Sequence, residues 1–200
     1  NIDHPIRTAL EIQRAAKKSK TSKFLLLLDQ EKAFDRVDRD YMIQVMKSMK
    51  LPESLITWTS ILYSETYAEI KVNRGFTRKI RLWSGVRQGC PLSSALFALC
   101  IEPLANLVRE STDIQGIQSS NQPWKATKVK LFADDTVFYC NSIDEVRTTI
   151  KLVQIYELGS GARMNIENTE ILHIEHIDLI ASAEVEEVRV IRGICECIVN

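Results

Sequence analysis

The 200-residue chain reads as a mixed α and β protein, and three observations predict it. An uninterrupted apolar run, Phe24-Leu25-Leu26-Leu27-Leu28, has the length of a buried strand. Residues 67–82 and 128–140 alternate around turn residues, as hairpins do. Helical stripes lie between these stretches rather than apart from them, which interleaves the two element types along the whole chain. Apolar residues make up 45% of the chain, enough to bury a core and to exclude disorder as the main state. No stretch approaches the roughly eighteen uninterrupted apolar residues that would mark a membrane span.

In chain order, residues 5–20 are expected to form a helix, with Ile6, Leu10 and Ile12 on one side. Lys17, Lys18 and Lys20 come near its end, where the dipole favours cations. Residues 23–29 read as a strand apolar on both faces, and therefore as a central one. Helices follow at 39–50 and 53–64, broken at Leu51-Pro52-Glu53, with Pro52 at or near the first turn of the second. Residues 67–72 and 77–82 form a hairpin that turns at Asn73-Arg74-Gly75. A loop with Gly85, Gly89 and Pro91 leads to a long apolar helix over 93–109, capped by Ser93 and bent or restarted near Pro103. Strands at 128–133 and 136–140 flank Asp134-Asp135 in a second hairpin. An amphipathic helix over 143–158 carries Val146, Ile150, Val153 and Tyr156 on one stripe and ends at Gly159-Ser160-Gly161. A strand is expected at 170–174. Beyond residue 175 no period emerges, and residues 170–200 hold seven acids against two arginines.

The net charge of zero conceals an asymmetry. Residues 1–100 carry 17 Lys and Arg against 10 Asp and Glu, and residues 101–200 carry 9 against 16. The first half can therefore present a basic face although the chain as a whole is not basic. Five cysteines form no regular framework and no secretory signal opens the chain, so reduced, intracellular thiols are expected, in nucleus or cytoplasm. The chain begins with Asn rather than Met, inside a helical pattern, and is expected to be a fragment.

Three acids stand out by their surroundings. Asp29 ends the apolar strand, and Asp134 and Asp135 sit between apolar strands. Carboxylates set in so much apolar chain are costly to desolvate unless a cation compensates. Mg²⁺ is the economical answer, because it takes oxygen ligands from one or two carboxylates together with substrate phosphates. Each acid has a plainer reading by itself: Asp-Asp is a common turn pair, and Asp at a strand end is a common cap.

The ordered set changes that balance. Asp29-Gln30-Glu31-Lys32-Ala33-Phe34-Asp35, then Gly85-Val86-Arg87-Gln88-Gly89-Cys90-Pro91-Leu92-Ser93, then Phe132-Ala133-Asp134-Asp135 resembles motifs A, B and C of the reverse transcriptase palm. The likeness is greatest to non-LTR retrotransposon enzymes of the long-interspersed-element type. It implies an α+β fold: a polymerase palm of antiparallel sheet backed by helices, with part of the fingers, over residues 1–172. Residues 173–200 are then a degenerate or atypical extension. Within it Val190-Ile191-Arg192-Gly193-Ile194 resembles the family's primer grip, with arginine where leucine is expected.

Carried over position by position, the resemblance implies that Asp29, Asp134 and Asp135 are catalytic and hold two Mg²⁺, with Mn²⁺ able to substitute. Ala33 would leave room near the triphosphate. Phe34 would stack under the incoming sugar and exclude a 2′-hydroxyl. Gln88 and Gly89 would touch the template–nucleotide pair, Gly89 by letting backbone approach closely. Asp35 would orient the loop or cap the next helix. The implied partners are an RNA template with a DNA primer and deoxynucleoside triphosphates; no membrane is implied, and oligomeric state stays open. A viral RNA-dependent RNA polymerase fits less well, since Phe34 argues against ribonucleotides and Ala133 stands where such enzymes usually carry glycine.

Lys71, Arg74, Arg78, Lys79, Arg81 and Arg87 are six cations with no acid among them, interleaved with Phe76 and Trp83. Such a hairpin can grip phosphates, or be a solvated face. The stretch Gly161-Ala162-Arg163-Met164-Asn165-Ile166-Glu167-Asn168-Thr169-Glu170 resembles motif D, but Asn168 stands where the family has a lysine near the leaving pyrophosphate. An amide cannot supply that proton. Asn168, together with finger cations expected upstream of the chain, supports an alternative: a catalytically inactive relic that binds nucleic acid or a partner. His173, His176, Cys195 and Cys197 have spacings unlike structural zinc sites, and Cys140 reads as a small core residue.

Overall fold

A computed structural model describes residues 22–119, 122–132, 135–174 and 188–192. The helix expected at 5–20 lies outside the described residues. The chain divides into two compact units.

The first unit, residues 1–30, 104–155 and 164–200, is built on a sheet. Its strands are β1 (Lys23–Leu28), β8 (Val129–Phe132), β9 (Asp135–Cys140), β10 (Glu170–Ile174) and β11 (Val188–Arg192), in the order β11-β10-β1-β9-β8. All neighbours are antiparallel. The leucine run is central, as its two-faced apolar pattern requires. On one face Leu26 pairs with Phe138 on one side and Ile171 on the other, and all three are fully buried. On the other face Leu25 and Tyr139 pack with Ile174 and with Ile117 from the short strand β6 (Ile117–Ser119), which pairs with β7 (Gln122–Thr127). The sequence pattern does not announce β11. Val190 and Ile191 break the alternation, so the strand is specified by the open edge of β10 rather than by its own pattern.

The second unit, residues 31–103 and 156–163, is mainly helical. A short α1 (Ala33–Arg36) precedes α2 (Arg39–Ser48) and α3 (Glu53–Ser64). Asp38 caps α2 by accepting from Tyr41 N at 2.8 Å. Met42, Val45 and Met46 of α2, and Ile56 and Tyr63 of α3, are buried where the two helices pack. The expected hairpin forms as four two-residue strands: β2 (Tyr67–Ala68), β3 (Lys71–Val72), β4 (Gly75–Phe76) and β5 (Ile80–Arg81). β3 pairs with β4, and β2 pairs with β5 one residue out of step, so the second arm carries one extra residue. That bulge divides each arm in two.

Two helices contribute to both units. α4 (Pro91–Glu110) starts two residues earlier than expected and runs through Pro103, which removes one backbone donor without ending the helix. Ser93 is therefore not its cap: it lies inside the first turn, buried, its hydroxyl donating to Arg87 O. By length and composition α4 could cross a membrane, but Leu96, Phe97, Ile101, Leu104 and Val108 are buried in protein, as in a core helix. α5 (Ile143–Ser160) buries Val146, Ile150, Val153 and Tyr156, and Gly161 follows it in the left-handed conformation that ends helices.

Candidate active site

Each unit holds part of the residue set singled out by sequence. In the sheet unit, β1 and β9 pair from Phe24 opposite Cys140 to Leu28 opposite Thr136. One further step of this register brings Asp29 level with Asp135. Phe132 pairs with Asp135, and Ala133 and Asp134 between them lie outside the described residues. Asp29 is half-buried and Asp135 exposed.

The turn after α5 wraps Asp29. Asn165 Nδ2 and Asn168 Nδ2 both donate to Asp29 Oδ2, each at 3.0 Å. Asn165 N donates to Asp29 O at 2.9 Å, and Asp29 N donates to Thr169 Oγ1 at 3.3 Å. Oδ1 has no donor among the described residues. Next to these acids in sequence, the buried Gln30 Nε2 and Thr136 Oγ1 have no hydrogen-bond partner among the described residues, and Thr136, following Asp135 in β9, faces the opposite side of the sheet. Hard carboxylate oxygens, with Asp29 Oδ2 held by two amides and Oδ1 left open, fit a hydrated Mg²⁺ and phosphate oxygens. The described residues contain no group of three or more His, Cys, Asp and Glu placed to hold a metal. His173 instead stacks on Phe24, centroids 4.5 Å apart, and Cys140 is fully buried with its thiol pushed up to about 12 by that burial. His176, Cys195 and Cys197 lie outside the described residues.

In the helical unit, Phe34 is half-buried and stacks on Phe97 of α4, centroids 4.7 Å apart. Ala33 opens α1 beside it, after Lys32 takes a left-handed turn. The loop before α4 is strapped to this segment: Val86 N donates to Phe34 O at 2.8 Å, Gly85 N to Val37 O at 2.8 Å, and Ser84 Oγ to Asp35 O at 3.0 Å. Gln88 Nε2 donates to Asp35 Oδ1 at 3.2 Å, so Asp35 orients the loop while Asp38 caps the next helix. Gly85 packs closely on the same segment, where a Cβ would meet Asp35 O at 2.8 Å. Gly89 has open space around it and is required by its φ of +80°.

Sequence reading missed Arg39. Its guanidinium donates to the carbonyls of Tyr63, Leu82, Ser84 and Gly85, tying the end of α3 and the end of the hairpin to the start of the loop. No local signal marks it, because its acceptors are backbone atoms remote in sequence.

The hairpin cations Lys71, Arg74, Arg78, Lys79 and Arg81 are all exposed, with Phe76 and Trp83 at 67% and 74%. Arg81 lies over the Trp83 ring at 4.1 Å, a preformed stack of cation and aromatic. Arg87 differs from the rest: it donates to Leu62 O at 3.0 Å and approaches the Tyr63 ring, so part of its capacity is already used within the unit.

Comparison with known proteins shows the family. The family model described as reverse transcriptase (RNA-dependent DNA polymerase) matches residues 2–191. The transposon TX1 uncharacterized 149 kDa protein of Xenopus laevis is 31% identical over 75% of this chain, and the Pol polyprotein of the type-1 retrotransposable element R2 from Nasonia vitripennis is 26% identical over 70%. The matched stretch is 11% and 13% of those proteins' lengths. Among solved structures, telomerase from Candida tropicalis in complex with a fragment of telomeric RNA aligns with 92% of this chain and 32% of that one, at TM-score 0.60 and 14% identity, a likeness of fold. The chain thus has the α+β palm-and-fingers fold, and it belongs to the reverse transcriptase family as a domain of the non-LTR retrotransposon type.

Proposed function

We propose that this chain carries the polymerising site of an RNA-directed DNA polymerase, which extends a DNA primer on an RNA template with deoxynucleoside triphosphates. The observation that carries the reading is the β1–β9 register, which sets Asp29 level with Asp135 at the end of two central strands in a chain of this family. Asp29, Asp134 and Asp135 would hold two Mg²⁺, with Mn²⁺ able to substitute. Bound there, the ions would supply Lewis-acid stabilisation of the α-phosphate and of the leaving pyrophosphate. Phe34, backed by Phe97, presents a rigid ring suited to excluding a 2′-hydroxyl. Gln88, fixed through Asp35, and Gly89 would position the nascent pair, with Ala33 leaving room for the triphosphate. Lys71, Arg74, Arg78, Lys79, Arg81 and Arg87 would hold phosphates of the template–primer duplex. Residues 1–172 would form the palm and partial fingers, and residues 173–200 a degenerate or atypical extension that would start the primer-grip and thumb region.

The test is primer extension on an RNA template with a DNA primer and Mg²⁺, comparing the chain with Asp134→Ala. Extension by the parent and none by the variant is expected; extension by a clean preparation of the variant overturns the assignment. Asn168, in place of the family's lysine, favours the second reading, a relic that binds without catalysis. A folded chain that binds template–primer with steep salt dependence and never extends it would establish that reading.

A further inference from the structure

The turn that follows α5 is built around Asp29 more completely than a loop passing a strand end requires. Asn165 uses both ends of its amide: Oδ1 accepts from Asn168 N at 3.4 Å while Nδ2 donates to Asp29 Oδ2. Thr169 is fully buried, accepts from Asp29 N, and donates from Oγ1 to Asn165 O at 2.7 Å. Thr169 N closes the same turn onto Asn165 O at 2.9 Å. Backbone N–H, backbone carbonyl and one carboxylate oxygen of Asp29 are thus all engaged by a single five-residue turn.

We infer that Asn165 and Asn168 are positioning residues for Asp29, a pair of neutral amides that fix Oδ2 and leave Oδ1 as the oxygen offered to a divalent cation. The inference rests on the metal-binding role proposed for Asp29. Rotation about the terminal torsion of Asp is soft, so a half-exposed carboxylate is not oriented by its own rotamer. Two amide donors on one oxygen remove that freedom. They also leave the full negative charge in place, because neither donor is cationic. Asn168 therefore gains a role at the position where the proton-donating lysine is absent: it exchanges an acid for a neutral orienting group.

The test is Mn²⁺ binding to the full chain, followed by electron paramagnetic resonance, with folding checked by circular dichroism. Asp29→Asn is compared with the parent first and is expected to lose a Mn²⁺ site. Asn168→Ala and Asn165→Ala are then expected to weaken that site about tenfold each, as loss of a group orienting a metal ligand does. Should Asn165→Ala fail to fold, the exposed Asn168 carries the test alone. Binding by Asn168→Ala equal to that of the parent overturns the inference and leaves Asp29 as a ligand. Equal binding by parent and Asp29→Asn overturns both, and the first comparison alone shows it.

Discussion

Residues 23–28 and residues 67–82 both carry the apolar content of strands, yet they finish in opposite environments. β1 is central in a five-stranded sheet, and Leu25, Leu26 and Leu28 are buried across its two faces. The hairpin breaks into four two-residue strands, and Tyr67, Ile70, Val72, Phe76, Ile80, Leu82 and Trp83 remain exposed. Pairing along both edges, with β9 on one side and β10 on the other, holds β1 in the register that leaves Asp29 level with Asp135. Nothing comparable fixes the hairpin, whose arms shift register by one residue between its two pairings. One stretch specifies where carboxylates stand; the other holds cations and rings in solvent. Under the proposed function the first would serve as a rigid catalytic support and the second as a surface for a large charged ligand.

The largest expected effect breaks this comparison at its rigid end. Leu26 is fully buried between Phe138 and Ile171, so Leu26→Ala should cost about 2–5 kcal/mol of stability. Val72→Ala, at an exposed position, should stay within about 0.5 kcal/mol. Chemical denaturation of both variants checks it. Similar losses would mean that the hairpin is packed in solution and that its apolar residues are core.

Those two regions also differ in how far sequence alone reveals them. The leucine run announces a central strand because burial on both faces leaves no polar position, and β1 is such a strand. The Asp29-to-Asp35 and Gly85-to-Ser93 stretches were legible as motifs, since their residue types are dictated by local chemistry. What sequence could not convey was anything fixed by remote backbone. Arg39 gathers four carbonyls from residues 63 to 85, none of them marked by residue type. The clamp on Asp29 joins residues 136 and 139 positions apart. The start of α4 was misplaced because Ser93 looks like a cap, whereas its hydroxyl turns back to Arg87 O inside the first turn. β11 escaped notice because an edge strand can borrow its pairing from a neighbour.

A second prediction sharpens the hairpin's side of the comparison. Replacing Arg78, Lys79 and Arg81 together by Ala should leave thermal stability nearly unchanged, since all three are exposed. Affinity for an RNA–DNA duplex should fall, and the slope of log affinity against log salt should flatten by about 0.7–0.9 for each phosphate that is no longer neutralised. Fluorescence anisotropy across a salt series measures both quantities. An unchanged slope would make these cations solvating groups and remove the functional half of the contrast.

The smallest effect concerns the turn itself. Val72 pairs with Gly75, and the two residues between them, Asn73 and Arg74, have φ of 44° and 70°. This is the geometry of a type I′ turn, which suits Asn at the first central position and glycine at the second. Arginine at a left-handed φ carries a strain of about 1 kcal/mol. Arg74→Gly should relieve most of it, less the greater freedom that glycine gives the unfolded chain. Amide exchange at Thr77, whose N–H donates to Ile70 O across the hairpin, should therefore slow, by at most about fivefold, with little change in the global melting temperature. The same substitution removes one of the exposed cations. If exchange slows while duplex affinity and salt slope both decline, the chain tolerates a strained turn in order to hold a charge at its tip, as a ligand-contacting hairpin would. If exchange slows and affinity does not move, Arg74 only solvates the turn, and the hairpin's claim to nucleic acid narrows to its remaining cations and to the Arg81–Trp83 stack.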